Sequence, residues 1–570
     1  MPKASLEEKP RACSNCSRAK AKCVQVDDDA DICQRCLKNN LTCAKSDSAS
    51  TRRRGKATHA RREQASMTRS PQTLEPPTLI DESLAGAPTQ SGQNQGPVPL
   101  PTQSTRTVPS DDSISIVPGF DVSFLEADQV LQEYMTTMLP EFPFVPLPFK
   151  SSSDMLKEQP LLLKTIIWVC RPPPPEASAA FESWFRQHIA DQTVVLMNKN
   201  IELVQAILLF IVWNDIYFFV AVKDTMLLQL AVCLVHDLKL TQPRWGQHEA
   251  FESIVEDAAH MQNKLPHRLK QTGVDCRTLM GVYYLTSSLT SLLGKRCTLE
   301  YTPHFDDCCE QLRRDEEYAT DSLLVSLVGI RRIAMKVNNT FWELTGNANN
   351  QPSGGVYTVA VAAVRNELDH FMNQLPANLK WNHLLRTHCA SIRIRLFEPF
   401  KFGDNQGTLE QPHLRCRTIW DCLQSTHELY DAFHLVPVES IPSLTVISIL
   451  HLALAIIKAS RLLCVKDQAW DLTTARTMFD LPSILRQLSK VFDDASSNGS
   501  ARSQRIVHGL PIFSEYAGAY RGIERAFVAR INSDGLVSTP LPMDPVVTSG
   551  GDYDLTFWDQ LSDFTNGLFP

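Results

Sequence analysis

Six cysteines in a short N-terminal segment constrain this chain more than any other feature. They follow the spacing C-x2-C-x6-C-x9-C-x2-C-x6-C, so that two halves of identical spacing flank a nine-residue loop. The whole chain holds 16 cysteines in 570 residues, and a regular cluster of this kind is typical of a metal site. The six are Cys13, Cys16, Cys23, Cys33, Cys36 and Cys43.

The ligands in this segment favour zinc. A zinc ion takes four tetrahedral ligands and binds thiolates well, so six thiolates satisfy two ions only if two of them bridge both metals. The segment is too short to bury a stabilising core, and metal binding worth about 10–16 kcal/mol can fold it instead. No histidine lies within the cluster, which argues against Cys/His fingers, LIM and RING sites. No βαβ pattern surrounds the C-x-x-C pairs, as a thioredoxin-like site would require.

The string ACSNCSRAKAKC…CQRCLKNNLTC resembles the fungal Zn(2)-C6 binuclear cluster. The resemblance implies a DNA-binding domain over residues 10–46 that holds two zinc ions. It also implies that the first and fourth cysteines, Cys13 and Cys33, bridge the two metals. The other two cysteines of each half would then complete one zinc site each.

The same resemblance assigns DNA contacts to basic residues of the cluster. The family's base-reading lysine stands three residues before the third cysteine, which is Lys20 here. Its ammonium would reach O6 and N7 of guanine in the major groove, and the implied half-site is a CGG-type triplet. Arg35 and Lys38 fit either a phosphate contact or a solvated surface charge. The complete set of candidate phosphate contacts is Arg18, Lys22, Arg35, Lys38 and Lys45.

The cluster departs from the family pattern at two places. The loop before the fourth cysteine, VQVDDDADI, has no proline and carries four aspartates, so we expect it to face away from the phosphates. Residues 44–70 lack the apolar a/d repeat of a dimerising coiled coil. Formation of a homodimer or heterodimer therefore stays open, and any dimer interface is expected in the body of the chain.

Charge is unevenly distributed along the chain. From Pro10 to Arg62 the sequence holds thirteen Lys or Arg and five Asp, whereas the whole chain has a net charge of −7. A basic head on an acidic body indicates a polyanionic partner, which the cluster identifies as double-stranded DNA. The basic run after the cluster suits nuclear import, and so a location in the nucleus, but it also suits phosphate binding. Its candidate residues are Arg52, Arg53, Arg54 and Lys56.

The rest of the chain divides by composition. Residues 47–118 are first basic and then rich in Pro, Gln, Ser and Thr. Such a segment cannot bury enough apolar surface to become ordered, so the composition predicts a disordered linker. Residues 119–530 show apolar residues at helical spacing over long stretches, as in Met226–Leu240 and Val446–Leu463. This pattern predicts one large all-α domain.

Three strings of this helical body resemble the fungal regulatory domain of the subgroup that includes weak-acid-response regulators. They are LEADQVLQEYMTTMLPEFPFVPLP, MLLQLAVCLVHDLKLTQP and CRTLMGVYYLTSSLTSLLGK, which begin at Leu125, Met226 and Cys276. The resemblance implies a domain that regulates activity, in some members by binding a small-molecule effector. No residue identifies a ligand in this chain.

The sequence argues against a membrane protein and gives little support to an enzyme. The uninterrupted apolar run Ala206–Trp213 is much shorter than the about 20 residues of a membrane span, and the N-terminus lacks the apolar segment of an export signal. Phe305–Glu310 (FDDCCE) has the spacing of an aspartate-rich Mg²⁺ site, although a charged helix start explains it better. No P-loop, G-x-S-x-G or H-E-x-x-H motif is present. The alternative function is an all-α enzyme or ligand-binding protein with a vestigial zinc module.

The last segment, residues 539–570, is acidic and aromatic and contains no basic residue. Alternating acidic and hydrophobic residues are typical of activation domains that bind transcription coactivators. The other interpretation is a terminal segment that packs on the body. Together these features predict a sequence-specific activator of RNA polymerase II transcription for a particular pathway. The candidate coactivator contacts are Phe557, Trp558, Leu561 and Phe564.

Overall fold

The computed structural model describes a few residues of the cysteine segment and most of the helical body. The described residues are 13, 16, 23–24, 32–39, 41–43, 113–214, 225–242, 271–292, 296–345, 354–397, 412–465, 470–507 and 509–534. They belong to two units, residues 1–103 and 104–570. The linker up to residue 112, the candidate import signal and the acidic tail lie outside the described residues.

The first unit contains helix α1 (Gln34–Lys38). Among the few residues described in this unit, those that are buried are cysteines, which pack against one another where a larger domain would have an apolar core. A five-residue helix has almost no stability of its own. The cysteine cluster must therefore hold it in place.

The second unit opens with a β-hairpin. Strands β1 (Ser113–Val117) and β2 (Phe120–Ser123) pair antiparallel, with Ile114 opposite Val122, and Gly119 takes the positive φ of +85° in the turn between them. The description of the second unit therefore begins at Ser113, six residues before the start predicted for the folded body. The alternating residues of SISIV bury one face of the strand, a local signal that the surrounding Pro- and Ser-rich composition conceals.

Helices make up most of the rest of the second unit where it is described, as the periodicity predicts. The predicted segments Met226–Leu240 and Val446–Leu463 are confirmed by the helices Thr225–Asp237 and Val446–Leu462. Two π-helical turns, Tyr134–Met138 and Asp191–Val195, each extend the helix that precedes them. The helices are α2 (Phe124–Glu133), α3 (Ser152–Glu158), α4 (Pro160–Cys170), α5 (Pro175–Ala190), α6 (Ile201–Trp213), α7 (Thr225–Asp237), α8 (Gly273–Leu292), α9 (Pro303–Asp315), α10 (Asp321–Thr345), α11 (Gly354–Gln374), α12 (His383–Leu396), α13 (Pro412–Phe433), α14 (Val446–Leu462), α15 (Leu472–Met478), α16 (Leu481–Ser496) and α17 (Ile512–Asp534).

The buried apolar residues of this unit form two clusters. The first runs from the hairpin to α12, and the second from α12 to α17, with α12 and α14 contributing to both. A short second hairpin, β3 (Ile506–Val507) with β4 (Leu510–Pro511), precedes α17. Among the described helices, none combines the length and the hydropathy that crossing a membrane requires.

Helix α8 lies at the centre of the first cluster. Every residue from Asp275 to Ser291 is buried, and the helix contacts α6, α7, α9, α10 and α14. Two other segments of the protein pack closely against Gly281, where an added Cβ atom would come within 2.9 Å of both Leu208 and Phe144. A helix buried on all sides must find partners for its polar side chains inside the protein.

One such partnership is a buried ion pair between α8 and α10. Nε and Nη2 of Arg277 donate to the two carboxylate oxygens of Asp321, each at 2.8 Å, and both side chains are at most 3% exposed. Nη1 donates to Glu317 at 2.9 Å, and the guanidinium lies over the ring of Tyr318. The bidentate geometry satisfies the charge without water.

The aspartate-rich segment lies at the start of α9. Asp306 accepts a hydrogen bond from the hydroxyl of Tyr301 at 2.8 Å and pairs with Arg332 at 3.2 Å, while Cys308 and Cys309 are buried in the first cluster. This carboxylate is engaged by a protein cation and a hydroxyl, which agrees with a charged helix start.

We expect Asp321→Asn to lower the free energy of unfolding by about 3–5 kcal/mol, because it leaves the buried Arg277 without its countercharge. Glu317→Gln is the matched control. The Glu317 side chain is 53% exposed, so this change should lower the free energy of unfolding by less than about 1 kcal/mol. Urea unfolding of the full chain, followed by circular dichroism, measures both. Equal effects of the two substitutions would contradict the assigned role of the buried pair.

Candidate metal centre and nucleic-acid interface

Helix α1 positions two of the six cysteines. Cys33 is the N-cap residue and Cys36 lies three positions later, so both thiols face the same side of the first turn. The N–H of Gln34 donates to the carbonyl of Val24 at 2.9 Å. This bond ties the start of the helix to the chain that follows Cys23.

The six thiols form two groups of four that share two members. The first group is Cys13, Cys16, Cys23 and Cys33, and the second is Cys13, Cys33, Cys36 and Cys43, with the sulfur atoms of each group within 4.8 Å of one another. The sequence-predicted ligands therefore lie together, and the two shared cysteines are those for which bridging is predicted. Among the described residues, no other set of three or more such ligands meets.

The sulfur–sulfur distances test whether zinc fits. A Zn–S bond of about 2.3 Å places the ligands of a tetrahedron about 3.8 Å apart. The Sγ atoms of Cys13 and Cys33 are 3.8 Å apart, those of Cys13 and Cys36 3.7 Å, and those of Cys16 and Cys33 3.6 Å. These separations suit two tetrahedra with a common edge between Cys13 and Cys33.

Backbone N–H groups support the thiols in the same way in both halves. The N–H of Cys13 donates to Sγ of Cys23 at 3.5 Å, and the N–H of Cys33 donates to Sγ of Cys43 at 3.4 Å. The two bonds are equivalent under the 20-residue offset of the sequence repeat. Donors that face sulfur stabilise the thiolate, which is the form that binds metal.

The two shared cysteines are also the most acidic of the six. The N–H of Cys36 lowers the pKa of Cys33 to about 6, and the N–H of Cys16 donates to Cys13 at 3.4 Å and lowers its pKa. Burial instead raises the pKa of Cys16 to about 12 and raises that of Cys36. The thiolates that two cations would share are thus the ones that the backbone favours before metal binds.

Two of the candidate DNA contacts lie on α1. Lys38 is exposed in the last turn, as a phosphate contact requires, whereas Arg35 is half-buried. The Arg35 side chain also hydrogen-bonds to Cys16 and opposes the rise in its pKa. The cysteine spacing gives no signal for this support of a ligand. Lys20, Arg18, Lys22 and Lys45 lie outside the described residues.

The shared sites predict unequal effects of cysteine substitutions on zinc content. Native mass spectrometry of residues 1–50 should show two zinc ions and unfolding on chelation. Cys33→Ser should remove both ions, since each site needs that sulfur. Cys43→Ser, which changes one site alone, should leave one ion bound. Loss of the same number of ions from both variants would contradict the shared edge, and a wild-type segment with one ion would contradict a binuclear centre.

Comparison with known families agrees with this geometry. Residues 11–53 match the fungal Zn(2)-Cys(6) binuclear cluster domain, and residues 100–445 match the WAR1 C-terminal domain. The first unit is therefore a domain that binds two zinc ions. Bound zinc supplies the folding energy that this unit cannot obtain from apolar burial.

Curated relatives extend over most of the chain. Transcription factor opdL of Penicillium oxalicum is 22% identical over 493 residues, which cover 84% of this chain and 82% of that protein. Transcription factor himD of Aspergillus japonicus is 22% identical over 414 residues, covering 70% of this chain and 64% of that protein. No solved structure matches the chain. The family match to more than half of its length shows that the chain belongs to the fungal transcription factors that carry a WAR1 C-terminal domain together with a Zn(2)-Cys(6) cluster.

Proposed function

We propose that this transcription factor binds CGG-type half-sites through its zinc cluster and activates RNA polymerase II transcription of a particular pathway. The observation that carries the proposal is the pair of four-thiol groups with two common members. Two zinc ions held by these thiols can fold the segment that carries Lys20, the residue that the resemblance assigns to the major groove. The relatives' names, which are those of transcription factors, favour this function over an all-α enzyme with a vestigial zinc module.

The internal repeat supports the first half of the cluster as the one that reads bases. At equivalent offsets the first half has Arg18, Lys20 and Lys22, whereas the second has Lys38, Asn40 and Thr42. Three cations on one short segment can contact phosphates and a guanine edge together. In the second half a single cation stands at these offsets, which suits a phosphate contact alone.

The remaining partners are proposals of the same kind. The basic run at residues 52–56 supports transport to the nucleus, and the regulatory domain is the expected place for a homodimer or heterodimer interface. A small-molecule effector is likewise expected to bind the regulatory domain. The cleft between α6, α14 and α17, whose lining includes Trp213, Arg502 and Phe513, admits little more than a water molecule as it stands.

Lys20→Ala should reduce affinity for a CGG-type duplex by about 1–3 kcal/mol and relax the preference for guanine. Arg18→Ala, Lys22→Ala and the second-half control Lys38→Ala should weaken matched and mismatched duplexes alike. Each of these three should also flatten the salt dependence by about one unit. Fluorescence anisotropy of labelled duplexes with residues 1–70 measures all four variants.

Zinc content must stay at the wild-type value in each variant, so that a loss of binding reports contacts and not unfolding. Equal loss by Lys20→Ala on matched and mismatched triplets would show that Lys20 does not read a base. Retention of full function in cells by Lys20→Ala, with unchanged zinc content, would favour the alternative function.

Deletion of residues 548–570 should leave DNA binding intact and reduce reporter output, because the cluster and the tail are separate segments of the chain. Trp558→Ala should reduce output more than Asp559→Asn. A large side chain that becomes fully buried contributes about 1.5–3 kcal/mol, whereas an aspartate mainly steers the segment to a basic surface. Residues 540–570 fused to an unrelated DNA-binding domain should activate a reporter.

The deletion variant and the fusion together separate activation from packing on the body. A tail that packs on the body gives an inert fusion, and its deletion lowers the thermal stability or abundance of the protein. Reporter output and protein level are therefore measured together. An inert fusion with a destabilised deletion variant would overturn the activation proposal and leave the zinc centre unaffected.

A further inference from the structure

Arg331 of α10 is a fully buried cation without a carboxylate partner. Its side chain is 2% exposed. Nε donates to Oγ of Ser287 at 3.3 Å and Nη2 donates to the carbonyl of Ser287 at 2.6 Å, both on α8. Among the residues that the structure describes, no acceptor meets Nη1 and no acidic side chain pairs with this guanidinium. The contrast with Arg277, which is equally buried but bonded to Asp321, is direct.

The tyrosine and the two histidines near Arg331 supply no negative charge. Tyr284 and Nε2 of His388 are hydrogen-bonded at 2.9 Å, and the rings of His388 and His451 meet edge to face at 4.8 Å. Burial raises the pKa of Tyr284, holds that of His388 well below its usual value and lowers that of His451 to about 3. All three side chains are therefore neutral at pH 7.

Two further charged groups lie near this layer. Glu141, which acts on Tyr284, receives a hydrogen bond from Nε2 of His383 at 3.0 Å. Arg395 of α12 donates to Oγ of Ser291 at 2.7 Å and adds positive charge. The pKa of Arg331 is lowered to about 10 by burial, and the charge of Arg395 acts in the same direction. At neutral pH the guanidinium still carries its proton, so a positive charge remains in the interior.

A hydrogen-bond donor without an acceptor lies in the same layer as the Arg331 guanidinium. Nδ1 of His388 has no partner. When Nε2 accepts from the tyrosine hydroxyl, a neutral imidazole carries its proton on Nδ1, which then becomes an unused donor. A buried ion is stable when a countercharge and hydrogen bonds offset its desolvation. A bound anion would provide both a countercharge for Arg331 and an acceptor for Nδ1 of His388.

We propose that Arg331 binds one small inorganic anion of halide size in the interior between α8, α10, α12 and α14. The size follows from the enclosure: Tyr284, Arg331, His388 and His451 are each at most 2% exposed. Interiors this closed are packed as densely as organic crystals and admit little more than a water-sized group. Nη1 of Arg331 and Nδ1 of His388 are the donors available to the ion.

The test is the anion dependence of thermal unfolding of the full, zinc-loaded chain. Sodium chloride, bromide and gluconate are compared at a constant ionic strength of about 0.15 M. Chloride and bromide should raise the midpoint by about 2–4 °C over gluconate, which is too large to enter. Sulfate, a larger dianion, stabilises folded proteins generally because it is excluded from their surface, so its effect should not depend on Arg331. The chloride effect should saturate as a single site does.

Arg331→Met should abolish the difference between chloride and gluconate. Arg332→Met is the matched control, because the neighbouring Arg332 has a side chain 44% exposed and pairs with Asp306; it should keep the wild-type anion dependence. If Arg331→Met does not fold, Arg331→Lys retains the charge and should keep a weaker chloride effect.

Two results would overturn the proposal. The first is one midpoint for the wild-type chain in chloride, bromide and gluconate. The second is a wild-type chloride shift in Arg331→Met, which would locate the ion elsewhere. A sulfate shift that is present in the wild-type chain and absent in Arg331→Met would overturn the assigned size of the ion.

Discussion

Complete burial of α8 is the constraint on which the second unit depends. A helix with the string TSSLTS would lie at the surface of most proteins, and here every residue from Asp275 to Ser291 is covered. A polar side chain or carbonyl of α8 that forms a hydrogen bond outside the helix therefore requires a matching donor or acceptor on the helix packed against it. The hydroxyl of Thr278 accepts a hydrogen bond from the side chain of Gln205 on α6, and the carbonyl of Ser287 accepts one from Arg331 on α10. Apolar burial draws these helices together, and the hydrogen bonds select one arrangement among the many that apolar packing would accept.

Helices α8 and α10 are joined by two buried guanidinium groups that have different kinds of partner. Arg277 extends from α8 to Asp321 at the start of α10, whereas Arg331 extends from α10 back to Ser287 on α8. Both guanidiniums thus join the same two helices at different heights. In the first case the pair is neutral and purely structural. In the second the protein retains a charge that its own described groups leave uncompensated, and retention of such a charge is easiest to understand if something else binds there.

The sequence predicted best those features that depend on residues close in the chain. The spacing from Cys13 to Cys43 identified all six members of the two thiol groups, because metal geometry demands short and regular intervals. The helices α7 and α14 followed from periodicity. The pair of Arg277 and Asp321 could not be predicted, since 44 residues separate them and nothing local marks either one. The hydrogen bond from Arg35 to Cys16 could not be predicted either, because a basic residue near the cysteines is equally consistent with a solvated surface charge.

The two units reach a fixed structure by different means, and this difference couples metal to DNA in the first unit alone. Helix α1 has five residues, far fewer than the about 12–15 that an isolated helix needs in water. Its position is therefore set by Cys33 and Cys36, whose thiols point into the cluster. Loss of zinc would remove the ligand bonds at the described cysteines of both halves. Zinc affinity and DNA affinity are then thermodynamically linked. The second unit has two apolar clusters of its own, and among its described residues there is no comparable group of ligands from which a chelator could remove a metal.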